Sequence, residues 1–191
     1  MGFLSIGENV LIARTARFLD PQYVSFGHRT IVDEYCVLSG KIIVGSNVHI
    51  AHGCKVIAGV EGFQMDDFSG LAFGVTVFAQ SDDYTGRALT NPTVPMKFRQ
   101  IVRGKVTMQR HAIVGAGTVI FPGITIGEGA SVGANASVTK KLEPWTVNIG
   151  SPARRVKERS RELLMHEVAY LAELREQGSA IDPQPSNAAF P

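Results

Sequence analysis

At 191 residues, 45% hydrophobic and 19% charged, the chain is long enough for one domain with a sizeable core and too short for two ordinary ones. Nineteen Lys and Arg against 17 Asp and Glu leave a formal charge of +2, which makes no general case for a nucleic acid or membrane-surface partner. No apolar run reaches the roughly 20 residues of a membrane helix, and Met1-Gly2-Phe3-Leu4-Ser5 leads straight into patterned sequence with no export leader.

The first pattern is Ile6 and Ile12, aliphatic residues six apart; it grows ragged between Phe18 and Val37. The same spacing returns at Val44, Ile50 and Val56, and again at Met65, Leu71 and Val77. From Met108 it runs unbroken through Val114, Ile120, Ile126, Val132 and Val138, with small or modest residues such as Ala112, Thr118 and Ala130 four places after each lead. A period of six fits neither the 3.6 of a helix nor the alternation of a half-buried strand. It fits a solenoid of short strands with a turn after each, which makes the chain an all-β parallel β-helix over 1–150. Eighteen leads at three faces per coil predict about six coils and a prism roughly 30 Å tall at the usual strand spacing. Cys36 and Cys54 fall within it and are expected as free thiols in a reducing cytoplasm.

Two stretches break the repeat, and insertions in a solenoid commonly carry function. Residues 81–105 form an inserted loop stiffened by Pro92 and Pro95. At the other break, Ser151 as N-cap and Pro152 at the first helical position predict a C-terminal helix over 151–178. Its apolar stripe is Val156, Leu164, Val168, Leu171 and Leu174, and Gly178 ends it. Covering the open edge of the last coil is its expected structural role. Residues 179–191, rich in Ser, Pro, Asn and Ala, are expected to be a disordered tail.

The run Val114-Gly-Ala-Gly-Thr-Val-Ile-Phe-Pro-Gly-Ile-Thr-Ile-Gly-Glu-Gly-Ala and the later Asn148-Ile-Gly-Ser-Pro-Ala-Arg-Arg-Val resemble the hexapeptide-repeat acetyltransferases. Asp82-Asp83-Tyr84-Thr85-Gly86 with Leu89-Thr-Asn-Pro-Thr-Val-Pro95 is similar to the members that acylate nucleotide-linked amino sugars for bacterial surface polysaccharides. The resemblance implies a left-handed β-helix and a homotrimer with active sites between neighbouring prisms. It also implies acetyl-CoA as donor, no metal, and a cytoplasmic enzyme serving O-antigen, capsule or lipopolysaccharide synthesis.

In the galactoside and maltose enzymes of that superfamily, the loop matching 77–83 carries a His that serves as base for a sugar hydroxyl. Here the stretch reads Phe78-Ala79-Gln80-Ser81-Asp82-Asp83. A hydroxyl must lose its proton as it attacks, and imidazole suits that near neutral pH. A neutral amine attacks a thioester without a strong base, and gains from orientation and from a carboxylate that stabilises its developing positive charge. Asp82 and Asp83 are the candidates for that role, so the substitution favours N-acylation; a turn-capping role on a solvated loop is the bland alternative for both. His52 resembles the catalytic His of the UDP-N-acetylglucosamine acyltransferase of lipid A synthesis, and would serve as base were the reaction O-acylation. A non-catalytic solenoid scaffold is the third possibility.

For the donor, Gly115, Ala116 and Gly117 would allow a ligand close to the backbone. The resemblance places Ser151, Pro152 and the basic Arg154, Arg155 and Lys157 near the adenosine phosphates, although Glu158 and Glu162 could simply pair with those cations. Tyr84 and Phe98 are the candidates to stack on an acceptor nucleotide. The zinc-binding carbonic anhydrases of this fold prompt a check of His49, His52 and His111, but no complete zinc ligand pattern is visible. His111 is expected to point outward.

Overall fold

A computed structural model describes residues 2–180, so the expected tail lies, apart from Ser179 and Ala180, outside the described residues. Every lead residue stacks on the lead of the next coil. On the first face Ile6 pairs with Phe26, Phe26 with Val44, Val44 with Met65, Met65 with Met108, Met108 with Ile126, and Ile126 with Leu142. A second column runs Ile12, Val32, Ile50, Leu71, Val114, Val132 and Asn148. The third runs Phe18, Leu38, Val56, Val77, Ile120 and Val138. The eighteen leads therefore close six coils of a parallel β-helix, with Leu142 and Asn148 opening a seventh.

The residue four places after a lead is a second inward position. Cys54, Val75, Ala112, Thr118 and Ala130 are all buried there, so lead and corner residue together fill the prism. The ragged segment owes its irregularity to Pro21–Tyr23, a 3-10 turn that absorbs extra residues between the strands Arg17–Phe18 and Val24–Phe26. Cys36 and Cys54 are free buried thiols on adjacent coils, donating to the carbonyls of Ala51 (3.2 Å) and Ala72 (3.1 Å) respectively.

The C-terminus differs from the helix expected over 151–178. Ser151 and Pro152 sit in a turn, and Arg154–Glu158 is a strand that pairs antiparallel with Thr146–Ile149. The strand, rather than a helix, covers the open edge of the seventh coil. The helix begins only at Leu163 and ends at Glu176. Of its expected stripe Leu174 is buried, while Val168 and the strand residue Val156 are exposed. It lies instead along the corner between the first and second faces. There Glu167 accepts hydrogen bonds from Arg110 (Nε, 2.9 Å) and pairs with the Nε2 of His111 (2.7 Å), and the Tyr170 hydroxyl bonds Asn47 (2.9 Å). His111, expected to point outward, is buried because the helix covers it and its ring lies between Phe68 and Trp145.

Burial alone would raise the Glu167 carboxyl, but the hydrogen bonds from Arg110 and His111 bring it below its ordinary value of 4.5. A depressed carboxyl contributes stability above the unfolded pKa and loses it as the pH falls through the folded one. Stability measured by urea unfolding should therefore decline as the pH drops below about 4.5, and Glu167→Gln should be less stable at pH 7 and lack that part of the acid slope.

Candidate active site

The inserted segment is an ordered arm at the corner between the third and first faces. Gln80–Asp82 and Ile101–Arg103 pair antiparallel at its base, with Ser81 opposite Val102 and Asp82 opposite Ile101. Farther out, Leu89 bridges to Arg99, and Met96–Phe98 forms a single 3-10 turn. The two aspartates have different occupations. Asp83 is buried and its carboxylate receives the Thr85 N–H (2.8 Å), the Thr85 hydroxyl (2.6 Å) and the N–H groups of Arg87 (2.8 Å) and Ala88 (3.2 Å). With both oxygens taken by the loop that follows, Asp83 is a staple of the arm. A short acidic residue two to five places before free N–H groups is the turn chemistry that signals this.

Asp82 accepts one bond on each oxygen, from the Arg99 guanidinium (2.9 Å) and the Asn91 N–H (3.0 Å). Those hydrogen bonds, Arg99's first, hold its carboxyl below the usual range, so it is an anion at neutral pH. It lines a cleft of about 540 Å³ with Phe78, Gln80, Ser81, Tyr84 and Phe121. Tyr84 is almost wholly exposed at its mouth, whereas Phe98 is not in the lining and lies beneath the Lys97 ammonium (4.9 Å). Arg99 carries no pattern of its own in the sequence; only the hairpin brings it to Asp82, whereas Ser81 is the neighbour of Asp82 in the chain.

His52 is far from this arrangement in the chain's own fold. It occupies the corner between the second and third faces, edge-on to Tyr35 (5.2 Å) and tilted against Phe73 (6.3 Å). His49 stands on the second face, paired with Asp33 (2.8 Å), and His111 on another corner, so the three histidines do not converge. Gly115 and Gly117 share the His52 corner, where a Cβ on Gly115 would meet the Ala134 N at 2.5 Å and Gly117 has φ +67°. Ala116 is left as the small residue at that corner.

Two further cavities lie elsewhere on the surface. One of about 300 Å³ at the last coil is lined by Lys140, Lys141, Glu143, Arg154 and Arg155, among others. Arg154 and Arg155 line it from a strand, together with Lys140 and Lys141, two lysines that the sequence reading did not single out. Lys157 and Ser151 are exposed outside the lining, and Arg155 pairs with Glu158. The other cavity, about 530 Å³, lies between the second face and the helix.

No protein-family model matches the chain. It is 35% identical over 167 residues to the dTDP-4-amino-4,6-dideoxy-D-glucose acyltransferase of Escherichia coli, covering 86% of each. It also superposes on AntD, an N-acyltransferase from Bacillus cereus solved with dTDP and 3-hydroxybutyryl-CoA. There the TM-score is 0.90 at 38% identity, over 91% of this chain and 93% of that one. A form of AntD bound to dTDP-4-amino-4,6-dideoxyglucose and coenzyme A gives a TM-score of 0.89 at 39% identity, over 91% and 92% of the two chains. The protein is therefore a coenzyme-A-dependent acyltransferase of the left-handed β-helix class. Within that class it belongs to the acyltransferases of nucleotide-linked amino sugars.

The different occupations of the aspartates can be separated. Asp83→Ala should leave four donors of the arm without an acceptor, and hydrogen exchange should show loss of protection confined to 83–103 with the coils unchanged.

Proposed function

We propose that the protein transfers an acetyl or related short acyl group from its coenzyme A thioester to the amino group of a dTDP-linked deoxyamino sugar. The observation that carries this is the cleft at the arm: it holds an anionic carboxylate, Asp82, with Ser81 and three aromatic rings, and its lining contains no histidine. Such a site is suited to an amine and poorly suited to a hydroxyl. The amine, in its neutral form, attacks the thioester carbonyl; the C–N bond forms, the C–S bond breaks, and the amine's surplus proton ends on the thiol of free coenzyme A. Asp82 orients the amine and stabilises the positive charge on nitrogen while that bond forms. Ser81 is placed to hydrogen-bond an oxygen of the same centre.

At the other end of the donor, Lys140, Lys141, Arg154 and Arg155 supply the charge that the phosphates of coenzyme A need, and Ala116 leaves its corner open for the pantetheine arm. The active form is a homotrimer with each reaction site between two prisms, as expected of closed cyclic assemblies. It works in the cytoplasm on precursors of O-antigen or capsule; among the described residues no helix is long and apolar enough to cross a membrane.

Thiol release from acetyl-CoA with a panel of dTDP-, UDP- and GDP-linked amino and neutral sugars tests the reading. Turnover is expected with an amino acceptor and absent with the neutral ones. Asp82→Asn should lower kcat about 10- to 100-fold, while His52→Ala should stay within about twofold of the unaltered enzyme. Loss of turnover in the His52 variant alone would transfer the reaction to a hydroxyl and its base.

A further inference from the structure

The strand Gln80–Asp82 brings Asp82 to the cleft, but its carboxylate is held from the outer arm. The Arg99 Nη2 donates to Oδ1 (2.9 Å) and the Asn91 N–H to Oδ2 (3.0 Å). Each donor is itself fixed. The Arg99 N–H caps the 3-10 turn by donating to the Met96 carbonyl (3.0 Å), and Leu89 bridges to the same residue. Asn91 has left-handed backbone (φ 68°), and its side-chain oxygen accepts the N–H (3.0 Å) and the hydroxyl (2.5 Å) of Thr93. Two donors, nine and seventeen residues further along the chain, thus set the direction of the carboxylate.

The bonding of Arg99 is incomplete in an informative way. Its side chain is only 12% exposed. Nη2 meets Asp82 and Nη1 lies 3.8 Å from the Met96 sulfur, while Nε is buried without a hydrogen-bond partner among the described residues. Guanidinium and carboxylate pair best as a fork of two parallel bonds. Here Oδ2, the oxygen that a fork would need, is bonded to Asn91 instead. Leaving a buried donor without an acceptor is unfavourable. Bracing the arm does not require it, since Asp83 already ties the loop with bonds from Thr85, Arg87 and Ala88. What the arrangement secures is a carboxylate with one donor on each oxygen and acceptor capacity left on both for a group in the cleft. The Arg99 bond also favours the ionised form, which is the form that stabilises positive charge on an attacking nitrogen.

We infer that Arg99 is a positioning residue of the acyl-transfer site: it stands outside the cleft lining and acts through Asp82, whose carboxylate it holds in the direction that meets the acceptor amine. The inference rests on the acyl-transfer reading, and on Asp82 as the carboxylate of that reading, and adds a residue that the reading does not require.

Steady-state kinetics of thiol release from acetyl-CoA, with the amino-sugar acceptor that turns over fastest, test it on the full chain. Arg99→Met keeps the bulk and removes the donors; it should lower kcat about tenfold and leave KM for donor and acceptor within about twofold. Arg99→Lys keeps the cation on a shorter side chain and should recover part of that loss. In an Asp82→Asn background neither substitution of Arg99 should lower kcat further, because the group through which Arg99 acts is already gone. Hydrogen exchange across 80–103 reports whether the arm is formed, and if Arg99→Met loosens it, Arg99→Lys in the two backgrounds decides. An equal fall of kcat in both backgrounds, a change confined to KM, or undiminished kcat in Arg99→Met with the arm intact overturns the inference. Failure of the underlying reading is distinct: the unaltered enzyme releases no thiol with any acceptor, or Asp82→Asn alone retains full activity.

Discussion

A coil of this solenoid cannot satisfy its own backbone. Most of its strands are two or three residues long, and their N–H and C=O groups are paired by the coils above and below, as Gly27 N–H to Val44 O (2.8 Å) and Gly45 N–H to Met65 O (2.8 Å) show on successive layers. The coils must therefore keep one register, and a slip of one residue would turn every lead out of the prism. Extra residues are tolerated only at corners, where they leave the ladder. That is why the arm stands at a corner, with Val77 below it and Met108 above it still stacked on Val56 and Met65. Function is added to the fold where the backbone constraint is silent.

This constraint also decides what could be read from the sequence. The eighteen leads were legible because the ladder enforces their spacing. The C-terminal turn misled because Ser-Pro before a polar-apolar stretch is equally a helix start and the corner before a closing strand; the open edge of the seventh coil, a long-range demand, chose the strand. His111 was misplaced for a related reason. A corner position normally faces solvent, and nothing local tells that a helix more than fifty residues later will cover it. Asp82 and Asp83 were singled out together, since neighbouring carboxylates carry the same letter whatever each of them bonds. Only the count of bonds on each oxygen separates them.

Charge is partitioned over the surface in a way that a net charge of +2 conceals. Four cations gather at the last coil with one glutamate, a lone carboxylate faces the arm's cleft, and a guanidinium without a counter-ion faces the cavity beneath the helix. Arg99 stands next to Asp82, yet its charge is spent on that carboxylate through a direct bond.

The corner that receives the helix shows how far the sequence goes to build that cavity. Corner residues adopt left-handed backbone, a conformation that glycine and asparagine take easily and bulky side chains resist. Asn47 and Gly129 follow the rule, but Phe68 (φ 57°), His111 (φ 61°) and Trp145 (φ 57°) occupy equivalent places. Each carries a backbone penalty of about 1–2 kcal/mol, and the compensation is visible in the stack. The Phe68 and His111 rings lie 5.3 Å apart, Trp145 covers Gly129 so closely that a Cβ there would come within 2.5 Å of its ring, and Tyr170 of the helix closes edge-on over Phe68. A glycine corner would be cheaper for the coil, but it would leave the helix nothing to rest on. Without the helix, the cavity would lose the wall formed by Leu163, His166 and Tyr170.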